Sequence, residues 1–431
     1  MSLNLSMCAV IIAASGTAMA RAQEQTGPDD LRAAIADTLA DAETRSSLLS
    51  GGDAGHDGRF YIAGDGFRLN VGGLSQFRYL ADFRNNANPD SFDHGFEYKR
   101  MQLWFEGQLN GGWDFKVMGF FADAAAQHFA PQPGVFTLQD AYARYNFANG
   151  LKLTCGQFKL PLLREELVFD QYQLTGERSL VNWTYTAYRA QGAMLAYQSD
   201  SWRGCGAVSS GLNSPNTDFT TSAATPAFVQ AGQADYALTG RLDYRFTGDW
   251  KMFDDFGSLH GQDFGAMLGG AVHWQQSKDS NLPNDVDQNT LEYTADATLK
   301  GNAWSFFGAF IGRYTKDIAA AGNNEYNDFG GVVQGGWRFA ANTEAFARWD
   351  AIFVDSSRVS NGAGNNFHFL TAGVNHYFAG QAAKLTLDVV YSFNNTLNLQ
   401  TLGVLPNSWV GLQGANKPGE TAVRCQFQLL F

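Results

Sequence analysis

Apolar and polar residues alternate with a period of two from about residue 67 to the C terminus. In the last segment, one face of an extended strand would carry Val423, Cys425, Phe427, Leu429 and Phe431, and the other Arg424, Gln426 and Gln428, with Leu430 as the exception. A strand between lipid and a water-filled lumen has this pattern, because successive side chains point to opposite sides. The segment favours a transmembrane β-barrel, although a soluble β-sandwich could also end on such a strand.

The same alternation predicts sixteen strands, since a helix would scatter these apolar residues around its circumference. The predicted strands are 67–83, 97–109, 113–123, 138–147, 151–159, 187–198, 201–211, 234–246, 263–275, 290–300, 303–315, 327–339, 343–353, 367–378, 383–393 and 421–431. Each is long enough to cross a bilayer, which takes about 9–11 tilted residues. The predicted fold is all-β: a 16-stranded antiparallel transmembrane β-barrel with a short N-terminal helical periplasmic segment.

The predicted connections alternate between short turns and long loops. Short turns lie at 110–112, 148–150, 199–200, 301–302 and 340–342, and the longest loops at 160–186, 212–233 and 394–420. Transmembrane barrels have tight periplasmic turns and long outer loops, whereas a soluble sandwich has no reason for this alternation. One connection departs from the pattern, because residues 247–262 should form a tight turn and are too many for one.

The N-terminal part divides into two predicted segments ahead of the barrel domain at 59–431. Residues 1–22 resemble a secretory signal peptide, with an apolar centre at 7–14 and small residues before a cleavage point, although no cation precedes the apolar centre. Residues 23–58 form a predicted periplasmic leader, with a helix at 29–50 that begins at an aspartate cap and ends at two glycines, and a disordered leader is the alternative.

Composition excludes several other classes of protein. No stretch of 18 or more apolar residues lies in the body of the chain, which excludes a helical membrane protein. After signal removal the chain keeps three cysteines, Cys155, Cys205 and Cys425, without zinc-type spacing, and they are interpreted as small apolar residues on strands. The seven histidines have no metal-ligand spacing, and no motif suggests a catalytic site. We therefore expect no enzyme activity, no cofactor and no nucleic-acid partner.

Five local sequences provide a family resemblance. They are FEYKRMQL at 96–103, WDFKV at 113–117, DAY at 140–142, GQFKLP at 156–161 and ERS at 177–179. In this order and spacing they resemble the phosphate-selective O- and P-type porins, most clearly over about 60–200. The resemblance implies a trimeric barrel in the outer membrane, surrounded by lipid and lipopolysaccharide, with a cationic lumen that passes phosphate or other anions. The family's inward arginine ladder and lysine cluster cannot be matched position by position, so strong phosphate selectivity is not expected.

The charge of the lumen matters more for selectivity than the total charge, which is −12. On the predicted strand registers, 14 basic and 10 acidic side chains point inward, and adding three acids at strand ends brings the two near parity. The acidic excess lies mostly in loops and in the leader. The sequence therefore predicts a mixed-charge pore with a weak preference for anions.

The predicted pore-lining residues are cations on neighbouring strands and on the loop 160–186, which porins commonly fold into the channel. They are Arg78, Arg100, Lys116, Arg144, Lys159, Arg164, Arg178 and Arg241. Arginine suits an anion path because its planar fork meets two oxygens of a phosphate or carboxylate. The alternatives are that the loop is a solvated surface loop and that inward pairs such as Arg241 and Asp243 neutralise each other.

Other functions also stay open at this point. A general or sugar-passing porin would use aromatic residues at its narrowest point, and the inward positions Trp104 and Phe120 are compatible with that. A structural or adhesive barrel with a blocked lumen is a further alternative. The aspartate- and asparagine-rich loops at 85–94 and 279–289 could bind calcium, although such loops are more often only solvated.

Overall fold

The computed structural model describes residues 52–84, 91–121, 136–216, 234–277, 288–317, 324–359, 364–397, 399 and 410–431. The predicted signal peptide, the predicted helix at 29–50 and most of the two candidate calcium loops lie outside these ranges. Residues 52–55 with 62–67 form one compact unit, and 56–61 with 68–431 form the other, which contains the barrel. In the described residues, no helix has both the length and the apolar character needed to span a membrane.

Sixteen antiparallel strands, β3 to β18, form a closed barrel, and two short strands, β1 (Asp53–His56) and β2 (Phe60–Gly64), precede it in the chain. The barrel strands are β3 (Phe67–Arg84), β4 (Ser91–Leu109), β5 (Trp113–Phe120), β6 (Thr137–Asn146), β7 (Leu151–Lys159), β8 (Arg189–Gln198), β9 (Trp202–Ser209), β10 (Ala234–Thr247), β11 (Gly265–Ser277), β12 (Gln288–Gly301), β13 (Trp304–Asp317), β14 (Asn324–Ala340), β15 (Thr343–Phe353), β16 (Asn366–Tyr377), β17 (Ala383–Ser392) and β18 (Thr421–Leu430). The last strand closes the barrel by pairing with the first, so that Arg424 lies opposite Leu80.

The predicted barrel of sixteen strands is confirmed, with differences at strand ends. Strand β4 begins at Ser91, six residues before its predicted start, and β14 begins at Asn324, three residues before. Strand β5 ends at Phe120, and β9 covers only Trp202–Ser209 of the predicted 201–211. These differences fall at strand ends next to connecting loops, and alternation alone does not define such ends.

Inward and outward side chains alternate along the strands as predicted. In β18, Arg424, Gln426 and Gln428 are buried on the lumen side, whereas Phe427 and Leu429 are exposed on the outer surface. Leu430, which breaks the alternation, is partly buried against Leu74, Trp104 and Met118 on the inside of the barrel wall. The buried interior is therefore largely polar, and the exposed surface is apolar, as lipid on the outside requires.

Candidate channel and its inner loop

Residues 160–188, which connect β7 to β8, fold into the barrel and are named the inner loop. The loop contains α1 (Arg164–Leu167), a 3₁₀ turn (Asp170–Tyr172) and α2 (Leu180–Tyr185). Its apolar side chains, among them Leu174 and Val181, are buried in one cluster with inward residues of the barrel strands. The loop is therefore an internal element and not a solvated surface loop.

Paired charges fix the inner loop to strand β4. The Arg100 guanidinium donates to both carboxylate oxygens of Glu177, at 3.0 and 2.7 Å, and its Nε lies 3.1 Å from Oδ1 of Asp170. Within the loop, Arg178 pairs with Asp170 and with Glu166. All five side chains are buried. A buried charge is tolerated when it is paired and hydrogen-bonded, so this network holds the loop in one position.

The same network changes the acidity of the loop carboxyls. Burial alone would raise the pKa of Glu177, but the Arg100 and Lys99 cations outweigh burial and hold that pKa below its ordinary value. Burial likewise opposes ionisation of Asp170, and the guanidiniums of Arg100 and Arg178 nevertheless keep its pKa well below the usual range. Both carboxyls are therefore charged at neutral pH.

Hydrogen bonds join the other side of the inner loop to strands β14 to β17. The bonds to β15 and β17 are Arg348 Nη1 to the Thr175 hydroxyl at 2.7 Å, the Gly176 amide to Asp388 Oδ2 at 2.9 Å and the Leu180 amide to Asp350 Oδ2 at 3.1 Å. The bonds to β14, β16 and β17 are the Tyr185 hydroxyl to the Phe329 carbonyl at 2.8 Å, Asn375 Nδ2 to the Leu174 carbonyl at 2.7 Å and Lys384 Nζ to the Gln173 carbonyl at 3.1 Å. The loop therefore packs against this wall. On its other side it touches β10, where Arg241 Nη1 donates to the Leu162 carbonyl at 2.9 Å, and it leaves part of the wall of β4 to β10 facing a cavity.

Residues 248–264, named the long turn, also fold inward. Phe253 and Phe256 are buried, and the Phe256 ring lies 4.7 Å from that of Phe307 on the barrel wall. The Phe256 amide donates to the Tyr172 carbonyl of the inner loop at 3.1 Å, and Lys300 Nζ donates to the Met252 carbonyl at 2.6 Å. This packing explains why the connection is too long for a tight turn: it is an internal element that supports the inner loop.

A cavity of about 740 Å³ remains between the inner loop, the long turn and the wall of β4 to β10. Its basic lining residues are Arg59, Lys116, Arg144, Lys159, Arg164, Arg203, Arg241 and Lys251, and its acidic ones are Glu106, Asp243, Asp254 and Asp255. Eight cations against four acids give the cavity a positive balance, although the whole chain carries −12.

The cations of the cavity differ in how closely they are paired. Lys159 Nζ lies 3.0 Å from Oε1 of Glu166, and Lys116 Nζ lies at 3.9 Å from the carboxylates of Glu106 and Asp140. Arg144 donates to the hydroxyl of Thr154 at 3.2 Å and has no ion pair with any described residue. Arg144 and Lys116 therefore offer positive charge that a solute can still use.

A cluster of guanidiniums lies where β9, β10 and the inner loop meet. Arg203 and Arg241 share the Asp243 carboxylate, at 3.0 and 2.6 Å. Arg164 of α1 donates to the Phe253 carbonyl of the long turn. Burial and the charges of Arg203 and Arg241 lower the pKa of Arg164 to about 10, which still leaves it protonated at neutral pH.

The structure separates the eight predicted site residues into two groups. Lys116, Arg144, Lys159, Arg164 and Arg241 line the cavity, and of these Lys159 and Arg241 are also paired with carboxylates. Arg78, Arg100 and Arg178 are not among the cavity lining and are buried in contact with carboxylates, Arg78 with Glu97. That the eight form one anion path stays a prediction. Of the two aromatic candidates, Trp104 lines the cavity, and Phe120 is buried on β5.

Three cations of the cavity were missed by the sequence. Arg203 and Cys205 are two residues apart on β9 and share its inner face, and both line the cavity, so the two-residue alternation could have found them. Arg59 and Lys251 lie outside the barrel strands, where no alternation indicates the direction of a side chain.

Comparison with a family model gives a match to "Phosphate-selective porin O and P" over residues 75–396. Comparison with curated protein sequences gives no significant match. Among solved structures, the chain is similar to an anion-selective porin from Comamonas acidovorans (TM-score 0.58, 13% identity, 85% of this chain and 100% of that one). It is also similar to the outer membrane channel DcaP of Acinetobacter baumannii (0.54, 13%, 85% and 99%) and to OmpT of Vibrio cholerae in its trimer form (0.54, 11%, 85% and 100%).

Proposed function

The chain belongs to the phosphate-selective porin O and P family and is an outer-membrane porin, and we propose that its pore prefers anions weakly. Family membership makes the chain a channel and not an enzyme. Solutes cross such a channel by passive diffusion through water, so the proposal concerns only which small solutes pass more easily. These solutes are small anions such as phosphate, together with neutral molecules that fit the cavity.

The observation that carries this proposal is the positive balance of the cavity, with eight basic and four acidic lining residues. Charges that line a narrow water-filled path act on a passing ion at short range, whereas charges on outer loops are screened over about 8–10 Å. The excess of cations therefore lowers the free energy of an anion in the cavity. Four acids in the same lining keep the preference weak.

Within the lining, we assign the anion path to Lys116, Arg144, Lys159, Arg164 and Arg241, with Arg203 added. Arg78, Arg100 and Arg178 are assigned a positioning role, because they are not among the cavity lining and each is buried against a carboxylate. Lys159 and Arg241 line the cavity but are also paired, Lys159 with Glu166 and Arg241 with Asp243 and Asp296, so they contribute less to the path than Lys116 and Arg144. The name of the Comamonas acidovorans structure, an anion-selective porin, supports the selectivity, and the trimer form of Vibrio cholerae OmpT supports a homotrimer. Both similarities to solved structures concern the fold alone.

Reversal potentials across a planar bilayer in a potassium chloride gradient test the proposal. The purified protein is expected to show a small anion preference, and Arg144→Ala combined with Lys116→Ala is expected to reduce it. Of these two wall cations, Arg144 has no ion pair with any described residue and Lys116 lies 3.9 Å from its carboxylates. Lys417→Ala, which removes one exposed loop charge, is the matched control and should leave the potential unchanged. Cation preference of the unmodified protein, or no change in the double variant, would contradict the proposal.

A further inference from the structure

One aromatic side chain of the inner loop projects into the cavity instead of packing against the wall. Phe169 is 37% exposed, whereas its neighbours Val168 and Asp170 are buried. Phe169 lies between two cations, since Lys116 Nζ and Lys159 Nζ are 4.7 and 5.3 Å from the centre of its ring. The loop thus places an apolar surface directly beside two ammonium groups.

More apolar surface adjoins this ring. Trp104 and Met118 from the wall, with Tyr172 from the inner loop, line the same cavity as Phe169. Lys116 Nζ also lies 5.9 Å from the Trp104 ring. An ammonium group near an aromatic face is attracted to it without being neutralised. Lys116, whose nearest carboxylates lie 3.9 Å away, therefore keeps a charge that a solute can use, whereas Lys159 shares its charge with Glu166 at 3.0 Å.

These features match the two parts of an amphipathic anion. A carboxylate can lie near both ammonium groups, while an apolar or aromatic body covers the exposed part of Phe169 and removes that surface from water. Inorganic phosphate gains only the first of these contacts, and its strong hydration opposes burial beside an apolar ring. A neutral sugar gains only the second.

We infer that the cavity binds small organic anions with an apolar or aromatic body, such as aromatic carboxylates, in preference to inorganic phosphate and to neutral sugars. The inference rests on the proposed channel function and names the solute class of that same cavity. Phe169 and Trp104 supply the apolar contact, and Lys116 attracts the carboxylate, with a smaller contribution from Lys159, which is paired with Glu166. The binding is weak enough for release, because a channel must let the solute leave.

The test is the block of chloride current through single channels by benzoate, phosphate and maltose at neutral pH. Benzoate is expected to reduce the current at a concentration about tenfold lower than phosphate, and maltose to be weaker still. Phe169→Ala is expected to weaken the benzoate block roughly fivefold, the size of one aromatic contact, and to leave the phosphate block unchanged. Phe310→Ala, which removes an outward-facing ring of β13, is the matched control.

A second variant separates loss of the aromatic contact from a general disturbance of the inner loop. Phe169→Leu keeps an apolar side chain of similar size, and we expect it to restore part of the benzoate block. Equal block by benzoate and phosphate in a channel that conducts chloride would overturn the solute class and leave the porin function intact. Stronger block by maltose would overturn it in favour of a sugar channel, and absence of any conductance would overturn both.

Discussion

The two sides of the barrel interior are built from the same alternating strands, but their inward cations have different surroundings. On the wall of β14 to β18, inward cations are paired: Arg424 donates to both oxygens of Asp388 at 2.7 Å, and Arg348 bonds to the inner loop. On the wall of β5 to β10, Lys116 and Arg144 face a cavity, and Arg144 has no ion pair with any described residue. An inward cation is therefore not enough to define an ion path, because its pairing decides its role.

The physical reason is the surroundings of each charge. A charge that is enclosed by the inner loop loses water and is stable only with a partner, so each such cation binds a carboxylate or a carbonyl. Some cations of the cavity lining, such as Arg241, are paired in the same way, but a charge like that of half-buried Arg144 can be solvated by the water of the cavity and needs no fixed partner. The inner loop thus divides the interior into a packed structural half and a solvated half.

Breaking the charge network between Arg100 of β4 and the inner loop should have the largest effect. Arg100→Ala leaves Glu177 and Asp170 without their main partner, and loss of one member of a buried ion pair costs on the order of 3–5 kcal/mol. We expect the inner loop to leave its position, which gives a larger and noisier single-channel conductance. Arg100→Lys keeps the charge but loses the two-point contact with Glu177. Its conductance and noise should therefore lie between those of the unmodified protein and of Arg100→Ala. Unchanged amplitude and noise in Arg100→Ala would show that the network does not hold the loop.

Acid should have a much smaller effect on the charge network between Arg100 and the inner loop. The pKa values of Glu177 and Asp170 are lowered, so their stabilising charge is present above the ordinary carboxyl pKa, about 3.9–4.3, and is lost only below it. The contacts of Arg100 with both carboxyls should therefore persist from pH 7 to about pH 4, and channel noise in the unmodified protein should stay below that of Arg100→Ala over this range. In Arg100→Lys the loss of these contacts should begin at a higher pH. Noise in the unmodified protein that reaches the level of Arg100→Ala already near pH 5 would contradict this assignment.

The sequence predicted the wall of the barrel better than its contents. Two-residue alternation follows directly from strand geometry, and even the exception at Leu430 has a local cause, its contact with Leu74 and Trp104 inside the wall. The long turn was recognised only as an anomaly of length, because its burial depends on contacts with Tyr172 and Lys300, far away in the chain.

The candidate site was predictable in part for the same reason. The two-residue alternation places Lys116, Arg144 and Arg241 on the inner face of their strands, and all three line the cavity. The alternation could not show that Arg100 contacts Glu177, because Glu177 lies 77 residues later in the chain, on the inner loop. Pairing across the barrel is a property of the folded loop and leaves no periodic signal.

A native cysteine gives the most direct test of where the water-filled path lies. Cys205 lines the cavity, whereas Cys155 and Cys425 are exposed on the outer face of their strands, which lipid covers. A charged methanethiosulfonate reagent should reduce single-channel conductance in the unmodified protein and have no effect on Cys205→Ser, and an anionic reagent should react faster than a cationic one. Equal inhibition of Cys205→Ser, or no reaction with the unmodified channel, would contradict a path along β5 to β10.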